Sequence, residues 1–364
     1  MDKPFLYITL ILLFIGVVMV FSASYSRAYY TKQNAGYYFF RQLSFAFIGL
    51  LSMYLLSKVP VSVYKKLSVF VLIFSLASLA VVPYFGIEEN GARRWLSLGF
   101  TTFQPSEIAK ISVILSFSSL ICRFKGKMKT FKYGVLPFAI ILFLIIALLV
   151  LEPHFSAAII IILLGATMLF LGGTGLIWFF LGFCVAAGGL YLATRYFPYV
   201  AERIHVWRDP FGFADGRGYQ IVQSLYAIGS GGLSGLGLGN GRQKLHYLPE
   251  EHNDFIFSVV CEELGLVGAS VIIILFALLI IRGFWLALHM KNRYSFLVVS
   301  GIMTLLSIQV IMNIAVVTNL IPCTGISLPF FSYGGTALVI QISQIGIVLS
   351  ASKELVSQNE CEGD

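Results

Sequence analysis

Long apolar blocks alternate with polar segments along the whole chain. A block of about 17–25 apolar residues can cross the hydrocarbon core of a bilayer as an α-helix. The sequence contains ten such blocks, at roughly 5–23, 42–57, 67–84, 107–122, 134–151, 156–172, 176–194, 256–281, 295–318 and 331–351. The second and fourth are short or interrupted by polar residues. The pattern predicts an all-α polytopic membrane protein that forms one domain over residues 1–364.

Composition excludes a soluble protein. Hydrophobic residues make up 58% of the chain and charged residues 12%, whereas soluble domains carry roughly 25% charged residues. A soluble chain this apolar could not cover its surface with polar groups, and a lipid-embedded chain does not need to. The net charge of +8 does not indicate nucleic-acid binding, because the basic residues lie in short loops between apolar blocks.

Lysine and arginine are concentrated in three of these loops. They are Lys58, Lys65 and Lys66; Arg123, Lys125, Lys127, Lys129 and Lys132; and Arg282, Lys291 and Arg293. If ten helices alternate in direction, the three loops and both termini share one side, which the positive-inside rule assigns to the cytoplasm. One large extracytoplasmic segment, at about 195–255 between the seventh and eighth helices, then lies on the other side.

A polar cluster precedes the fourth helix. Residues 90–95, which include Arg94, are followed by Gln104, Glu107 and Lys110. Glu107 and Lys110 are i,i+3 neighbours on a helix and can pair. Two interpretations remain open: a structural ion pair at the helix terminus, or a site where Lys110 binds an anionic headgroup or diphosphate.

The long segment contains cations and a glycine-rich run. Arg217, Arg242 and Lys244 are among the cations, and the run at 229–241 contains seven glycines. It matches no phosphate-binding fingerprint, because such a fingerprint needs a preceding strand and a βαβ unit. A flexible re-entrant turn is an equally good interpretation, although the neighbouring cations could hold a phosphate.

Three carboxylates and a histidine precede the eighth helix. Glu250, Glu251, His252 and Asp254 occupy five positions, and Asp254 is the last acid before the apolar block. Asp254 could simply cap the helix. The alternative is a general base at the membrane surface, where partial desolvation raises a carboxyl pKa towards the working pH.

Two further acids lie inside the eighth helix. Glu262 and Glu263 follow Asp254 by about 12 Å along the helix axis. Carboxylates inside a spanning helix are costly, so they need partners or a polar cavity. A purely structural buried network and a functional site are both consistent with this placement.

The last loop on the same side, at 318–336, contains two prolines and three glycines, which break regular helix. Irregular backbone at membrane depth is tolerated only where it is buried in protein or lines a cavity. This loop, which contains Ser332, is therefore expected to pack against the long segment and to help form the wall of a site.

These segments together resemble the SEDS family (shape, elongation, division and sporulation), the FtsW, RodA and SpoVE proteins of bacteria. The resemblance covers nearly the whole chain. It rests on 90–95, 104–110, 218–224, the glycine-rich run, 248–263 and 322–335, which occur in the family's order. Residues 226–229 and His252-Asn253-Asp254 are closer to the FtsW and SpoVE branch than to RodA.

The resemblance implies a peptidoglycan glycosyltransferase that polymerises lipid II at the outer face of the cytoplasmic membrane. The family's catalytic aspartate falls on Asp254, which would deprotonate the acceptor hydroxyl. Inversion at the donor's anomeric carbon would release undecaprenyl diphosphate. The resemblance implies that lipid II and its diphosphate are bound by Lys110, Glu107, Arg94, Arg217, Arg242, Lys244 and Ser332. It implies supporting roles for Glu262, Glu263, Gln104 and His252.

Partners and location follow from the same resemblance. A class B penicillin-binding protein and other division or sporulation membrane proteins are expected partners, and nucleic acid is not. The multi-pass protein is expected in the bacterial cytoplasmic membrane, at the division septum or the forespore membrane. No residues have metal-ligand spacing, and a divalent cation, Mg²⁺ or Mn²⁺, that bridges diphosphate and acid is left open.

The chain departs from the family at two positions. His154 stands where relatives commonly have an acidic residue, and Ser327 stands where a proline is common. Two other functions remain alternatives, namely a scaffold that only recruits a penicillin-binding protein and a lipid II flippase. A flippase needs a polar path across the bilayer, which could be lined by Glu152, His154, Glu262 and Glu263.

Overall fold

The computed structural model describes residues 1–89, 92–97, 99, 101–196, 198–245 and 247–361. Ten helices of this described part are long and apolar enough to cross a membrane. They are α1 (Lys3–Lys32), α2 (Tyr37–Lys58), α3 (Val61–Phe85), α4 (Pro105–Arg123), α5 (Phe131–Gly134) continued by α6 (Leu136–Leu151), α7 (Phe155–Gly172), α8 (Leu176–Tyr196), α11 (Ile256–Leu288), α12 (Arg293–Val317) and α13 (Gly335–Cys361). Each overlaps one predicted block, so the prediction of a ten-span membrane protein is confirmed.

Several spans are longer than the blocks that predicted them. Helix α1 continues to Lys32 and α11 to Leu288, beyond the predicted ends at 23 and 281. Hydropathy marks only the part of a helix that lies in hydrocarbon, whereas backbone hydrogen bonding continues into the polar region. Polar caps mark the true ends: Asp2 accepts a hydrogen bond from the backbone N–H of Phe5 at 2.9 Å at the start of α1.

Five of the connections lie on one side of the bundle, the side predicted to be extracytoplasmic: α1–α2, α3–α4, α6–α7, α8–α11 and α12–α13. The α3–α4 connection contains strands β1 (Ile87–Glu89), β2 (Ala92–Ser97) and β3 (Thr102–Phe103), which form an antiparallel sheet in that order. The long segment contains α9 (Pro198–Arg208) and α10 (Tyr219–Gly231). The sheet is an addition to the predicted all-α fold, since strands this short leave too little alternation to detect. Asn90 and Gly91 lie outside the described residues.

Three helices form the centre of the bundle. Most of the spanning residues of α4, α12 and α13 are buried, whereas the central part of α8 is fully exposed at the periphery. Helix α4 packs against α3, α7 and α12, and α13 packs along α2. The polar residues at the start of α4 are therefore held at the centre of the protein.

Helix α11 is broken at Gly265, where φ is +67° and ψ is −171°. An added Cβ there would lie 2.3 Å from the backbone nitrogen of Gly235, so only glycine fits. The glycine-rich run fills the break. The N–H groups of Leu236 and Gly237 donate to the carbonyls of Glu262 and Glu263 (both 3.0 Å), and those of Leu266 and Val267 donate to the carbonyls of Gly232 and Leu233 (2.9 and 3.1 Å). The run is thus a re-entrant turn that satisfies the backbone groups freed by the break.

The two glutamates of α11 also have side-chain partners in this turn. Lys244 donates to Glu263 Oε1 at 2.5 Å, and Ser22 of α1 donates to Glu263 Oε2 at 2.5 Å. Glu262 accepts from the backbone N–H groups of Arg242 and Gln243, at 2.7 and 3.2 Å. Of the two interpretations of Glu262 and Glu263, the structure therefore matches the buried structural network.

We expect Lys244→Ala to lower the free energy of unfolding by about 3–5 kcal/mol, because it leaves the Glu263 carboxylate buried without its cation. The double variant Lys244→Met/Glu263→Leu should recover most of that loss. Thermal unfolding in detergent measures both. Arg242→Ala is the control, since the Arg242 side chain is exposed and its removal should change stability by less than about 0.5 kcal/mol. Equal melting of wild type and Lys244→Ala would contradict the structural role.

Candidate active site

The clustered connections enclose a cleft of about 230 Å³. Residues from widely separated parts of the chain meet in it, because the ends of β2, α4, α7, α12 and α13 converge there. The polar and aromatic residues of its lining include Arg94, Trp95, Gln104, Glu107, Lys110, His154, Glu250, Asn253, Asp254, Gln309, Ser327, Ser332 and Tyr333. The structure thus brings together five of the predicted site residues near Asp254: Arg94, Gln104, Glu107, Lys110 and Ser332.

The Asp254 carboxylate lies in the cleft wall, partly exposed. Its Oδ2 would be 2.9 Å from a Cβ added to Gly325, so the carboxylate lies close to the backbone of the last loop. Among the described residues, no donor is hydrogen-bonded to the carboxylate. Both oxygens therefore remain able to accept a proton or a hydrogen bond from a bound molecule.

The surroundings of Asp254 make it a better base than an ordinary aspartate. Its pKa is raised to about 7, mainly by burial and also by the neighbouring Glu250 carboxylate, while Arg94 opposes the shift. A carboxyl whose pKa lies near the working pH is ionised often enough to take a proton and basic enough to hold it.

The backbone that carries Asp254 is held at three consecutive carbonyls. The His252 carbonyl accepts from the backbone N–H of Tyr333 at 2.8 Å. The Asn253 carbonyl accepts from the Ser332 hydroxyl at 2.8 Å, and the Asp254 carbonyl accepts from Asn313 Nδ2 at 2.8 Å. The last loop thus packs against the long segment, as the sequence predicted.

Glu107 and Lys110 pair in the first turns of α4. Lys110 Nζ lies 2.6 Å from Glu107 Oε1, and both side chains are more than nine-tenths buried. The sequence predicted this pairing from their i,i+3 spacing. An ammonium has three N–H donors, so Lys110 keeps donors for a ligand in the cleft while Glu107 holds it in position.

The turn between α6 and α7 adds a buried acid and the unusual histidine. Arg94 Nη2 donates to the Pro153 carbonyl at 2.5 Å. Burial raises the pKa of Glu152 to about 8 and lowers that of His154 to about 3, with Arg94 favouring the neutral histidine as well. Both side chains are therefore neutral near pH 7. Gln104 Nε2 lies 3.5 Å from His154 Nε2.

Five predicted site residues lie away from this cleft. Arg217 pairs with Glu202 in the long segment. The side chain of Arg242 is exposed, and Lys244, Glu262 and Glu263 belong to the network at the break in α11. They do not line the cleft around Asp254.

His252 lies behind the cleft as part of its support. Its ring is 4.7 Å from that of Tyr38 and 5.7 Å from that of Tyr333. The Glu251 carboxylate lies between the His252 ring and the Arg27 guanidinium. Its Oε1 is 3.6 Å from His252 Nδ1, and its Oε2 is 3.3 Å from Arg27 Nη1. Glu251 thus ties the loop to α1, whereas Glu250 faces the cleft.

Sequence reasoning missed several residues of this site. Gln309, Asn253 and Gly325 line the cleft, and Asn313 anchors Asp254 from behind. A signal was present for two of them. Gln309 and Asn313 are amides four residues apart on an otherwise apolar span, so they share one helix face that must meet polar partners.

In the part of the chain that the structure describes, no three His, Cys, Asp or Glu side chains are grouped so that they could hold an ion. The cleft presents Asp254 and Glu250 as adjacent acids, and its cations are Arg94 and Lys110.

Comparison with known proteins gives relatives along the whole chain. Stage V sporulation protein E of Bacillus subtilis (strain 168) is 37% identical over 358 residues, which cover 97% of each chain. A probable peptidoglycan glycosyltransferase FtsW of Coxiella burnetii is 39% identical over 354 residues, which cover 95% of this chain and 94% of the relative.

Solved structures agree with these relatives. One similar chain comes from a study of the structural coordination of polymerization and crosslinking by a peptidoglycan synthase complex. Its TM-score is 0.82 at 28% identity, and the match covers 97% of this chain and 98% of that one. The rod shape determining protein RodA of Thermus thermophilus has a TM-score of 0.71 at 27% identity, with 97% of each chain covered. The family model FTSW_RODA_SPOVE, described as cell cycle protein, matches residues 3–357. The chain therefore belongs to the FtsW/RodA/SpoVE family of multi-pass membrane proteins.

Proposed function

We propose that this protein is a peptidoglycan glycosyltransferase that polymerises lipid II into glycan strands. The observation that carries the proposal is the Asp254 carboxylate, which lies in a cleft beside Arg94 and Lys110 without a hydrogen-bond donor from the described residues. The names of the relatives, peptidoglycan glycosyltransferase FtsW and a sporulation protein of the same family, support the reaction.

The reaction transfers a glycosyl group from one lipid-linked substrate to another. Asp254 takes the proton from the acceptor 4-hydroxyl while the oxygen of that hydroxyl attacks the anomeric carbon of the donor. The bond between that carbon and the diphosphate oxygen breaks, and undecaprenyl diphosphate leaves with the bonding electrons. Attack opposite to the leaving group inverts the anomeric configuration.

Lys110 and Arg94 have the complementary role of stabilising the leaving group. Negative charge builds up on the diphosphate oxygens as the glycosidic bond breaks, and fixed cations in a partly dehydrated cleft stabilise that charge. The pairing of Lys110 with Glu107 at 2.6 Å keeps the ammonium in place before substrate arrives, so no reorganisation is needed during the reaction.

The proposal extends to location and partners. Lipid II would be used at the outer face of the cytoplasmic membrane, where the orientation predicted from basic loops puts the cleft. A class B penicillin-binding protein would crosslink the product, as suits a chain similar to a component of a peptidoglycan synthase complex. Similarity to FtsW and SpoVE proteins favours a role in division or sporulation, at the septum or the forespore membrane.

A flippase is the alternative from another functional class. It would need a polar path between the two membrane faces. Glu262 and Glu263 are occupied by the re-entrant turn and Lys244, whereas His154 lines the cleft around Asp254. The described residues of the two groups do not share one cavity, which favours the enzyme over the transporter.

Asp254→Asn tests the base. Asn keeps the size of the side chain but cannot take a proton, and loss of a general base typically lowers the rate about 10²–10⁴-fold. We expect the purified variant to form no detectable polymer from labelled lipid II in detergent, and to melt within a few degrees of wild type. Asp215→Asn is the matched control, since Asp215 is exposed and does not line the cleft. Near-normal polymerisation by Asp254→Asn would remove Asp254 from the mechanism and direct attention to Glu250.

The pH dependence of the rate tests the environment of the base. The raised pKa of about 7 for Asp254 means that the ionised, active form is lost as pH falls through 7. We expect kcat/KM for polymerisation to decrease about tenfold per pH unit on the acidic side of that value. An acidic limb near pH 4, the value for an ordinary aspartate, would show that Asp254 is not desolvated as described.

The role of Lys110 is tested in a variant whose partner, Glu107, is also replaced by a neutral residue. Lys110→Met alone leaves Glu107 buried without a cation, so it should lower stability and activity together. The double variant Lys110→Met/Glu107→Gln removes that imbalance and should melt close to wild type. If Lys110 stabilises the diphosphate, the double variant still polymerises lipid II at least tenfold more slowly than wild type. A tenfold loss of rate corresponds to an activation barrier higher by about 1.4 kcal/mol. Recovery of activity together with stability would limit Lys110 to a structural ion pair.

A further inference from the structure

We infer that Asn313 is a positioning residue for the proposed reaction, because it fixes the Asp254 backbone against the loop that touches the Asp254 carboxylate. The inference rests on the proposed function of Asp254. It assigns a role to a residue that lies outside the cleft lining and makes no contact with the carboxylate itself.

One amide group of Asn313 binds two backbone segments. Nδ2 donates to the Asp254 carbonyl at 2.8 Å and to the Ile326 carbonyl at 2.7 Å. Both acceptors are carbonyls, so the orientation of the amide is determined by its partners. Each of its two N–H groups is used once.

One of these carbonyls belongs to Asp254 itself, and the other belongs to the residue after Gly325, which the Asp254 carboxylate approaches closely. Ile326 follows Gly325, whose position leaves Asp254 Oδ2 only 2.9 Å from where a Cβ would be. Linking the Asp254 and Ile326 carbonyls through one side chain therefore sets the separation between the carboxylate and Gly325. That separation controls how far the carboxylate is withdrawn from water.

The placement of Asn313 indicates a rigid anchor. The residue is 0% exposed, on a helix whose spanning residues are mostly buried. Its Oδ1 has no hydrogen-bond partner among the described residues, so the side chain serves here as a double donor. The neighbouring carbonyls of His252 and Asn253 are held from the last loop, whereas Asn313 ties Asp254 to the transmembrane bundle.

Removal of the amide should change the chemistry more than the fold. Without Nδ2 the carboxylate can move towards the cleft, where water solvates its charged form, and its pKa falls. A small displacement of a catalytic group can lower a rate about 10²-fold. We therefore expect Asn313→Ala to lower kcat about 10–100-fold, to leave KM for lipid II near the wild-type value, and to move the acidic limb of the pH profile to lower pH.

Ser224→Ala is the matched control. Ser224 is also 0% exposed and its hydroxyl donates to a backbone carbonyl of α12, that of Val317, at 2.7 Å. This variant also removes a buried hydrogen bond to the same helix. The other partner of Ser224, the Ser258 hydroxyl at 2.7 Å, lies in the first turn of α11, beyond the Asp254 loop. We expect it to lose stability while the acidic limb of its pH profile stays in place.

The experiment measures polymerisation kinetics against pH, together with backbone hydrogen exchange of 250–256 and 324–328, for wild type and both variants. Faster exchange in these segments and a shifted acidic limb in Asn313→Ala, but not in Ser224→Ala, support the inference. Unchanged exchange, or the same kcat and acidic limb in both variants, overturns it.

Two further results are distinguishable. If Asn313→Ala does not fold, Asn313→Ser, which keeps one donor, takes its place, and wild-type exchange and pH dependence in that variant overturn the inference. If wild type itself makes no polymer, the proposed function fails, while hydrogen exchange still reports whether Asn313 holds the Asp254 segment.

Discussion

The organisation of this protein depends on the need to satisfy backbone polar groups inside the membrane. Helix α11 is broken at Gly265, and hydrogen bonds from the glycine-rich run replace those that the break removes. The same contacts fix the glycine-rich run, which belongs to the long segment that also carries Asp254, to the bundle. A local break in one span therefore anchors the segment that carries the proposed base.

The cleft combines charges of both signs with limited access to water. Asp254 and Glu250 repel each other, and burial disfavours ionisation of both Asp254 and Glu152. Arg94 and Lys110 supply the opposing charge. Such a balance suits a reaction in which a neutral hydroxyl loses a proton on one side of a sugar while negative charge appears on a diphosphate at the other.

Some of this arrangement could be predicted from sequence and some could not. The ten spans were predictable because hydrocarbon requires long apolar helices, and the Glu107–Lys110 pair because neighbours on a helix meet. The partner of Glu263 was not, because Lys244 reaches it only through the re-entrant turn. Residue types placed Lys244 among the substrate-binding cations, and only the packing shows it engaged elsewhere. The anchoring by Asn313 requires α12, the Asp254 segment and the last loop to meet. In the sequence, its only sign is a polar residue in an apolar helix.

The buried Lys244–Glu263 pair has a consequence for how the chain is made. An ionised side chain at the centre of a spanning helix costs about 2.5–3.5 kcal/mol on insertion, and less towards its ends. Helix α11 carries two acids, Glu262 and Glu263, in its second turn. Synthesis proceeds from the N-terminus, so Lys244 and the glycine-rich run emerge before Glu262 and Glu263. The cation and the N–H donors are already present when the acids arrive. The order of residues in the chain thus allows insertion of α11 and neutralisation of its charges to occur as one step of biogenesis.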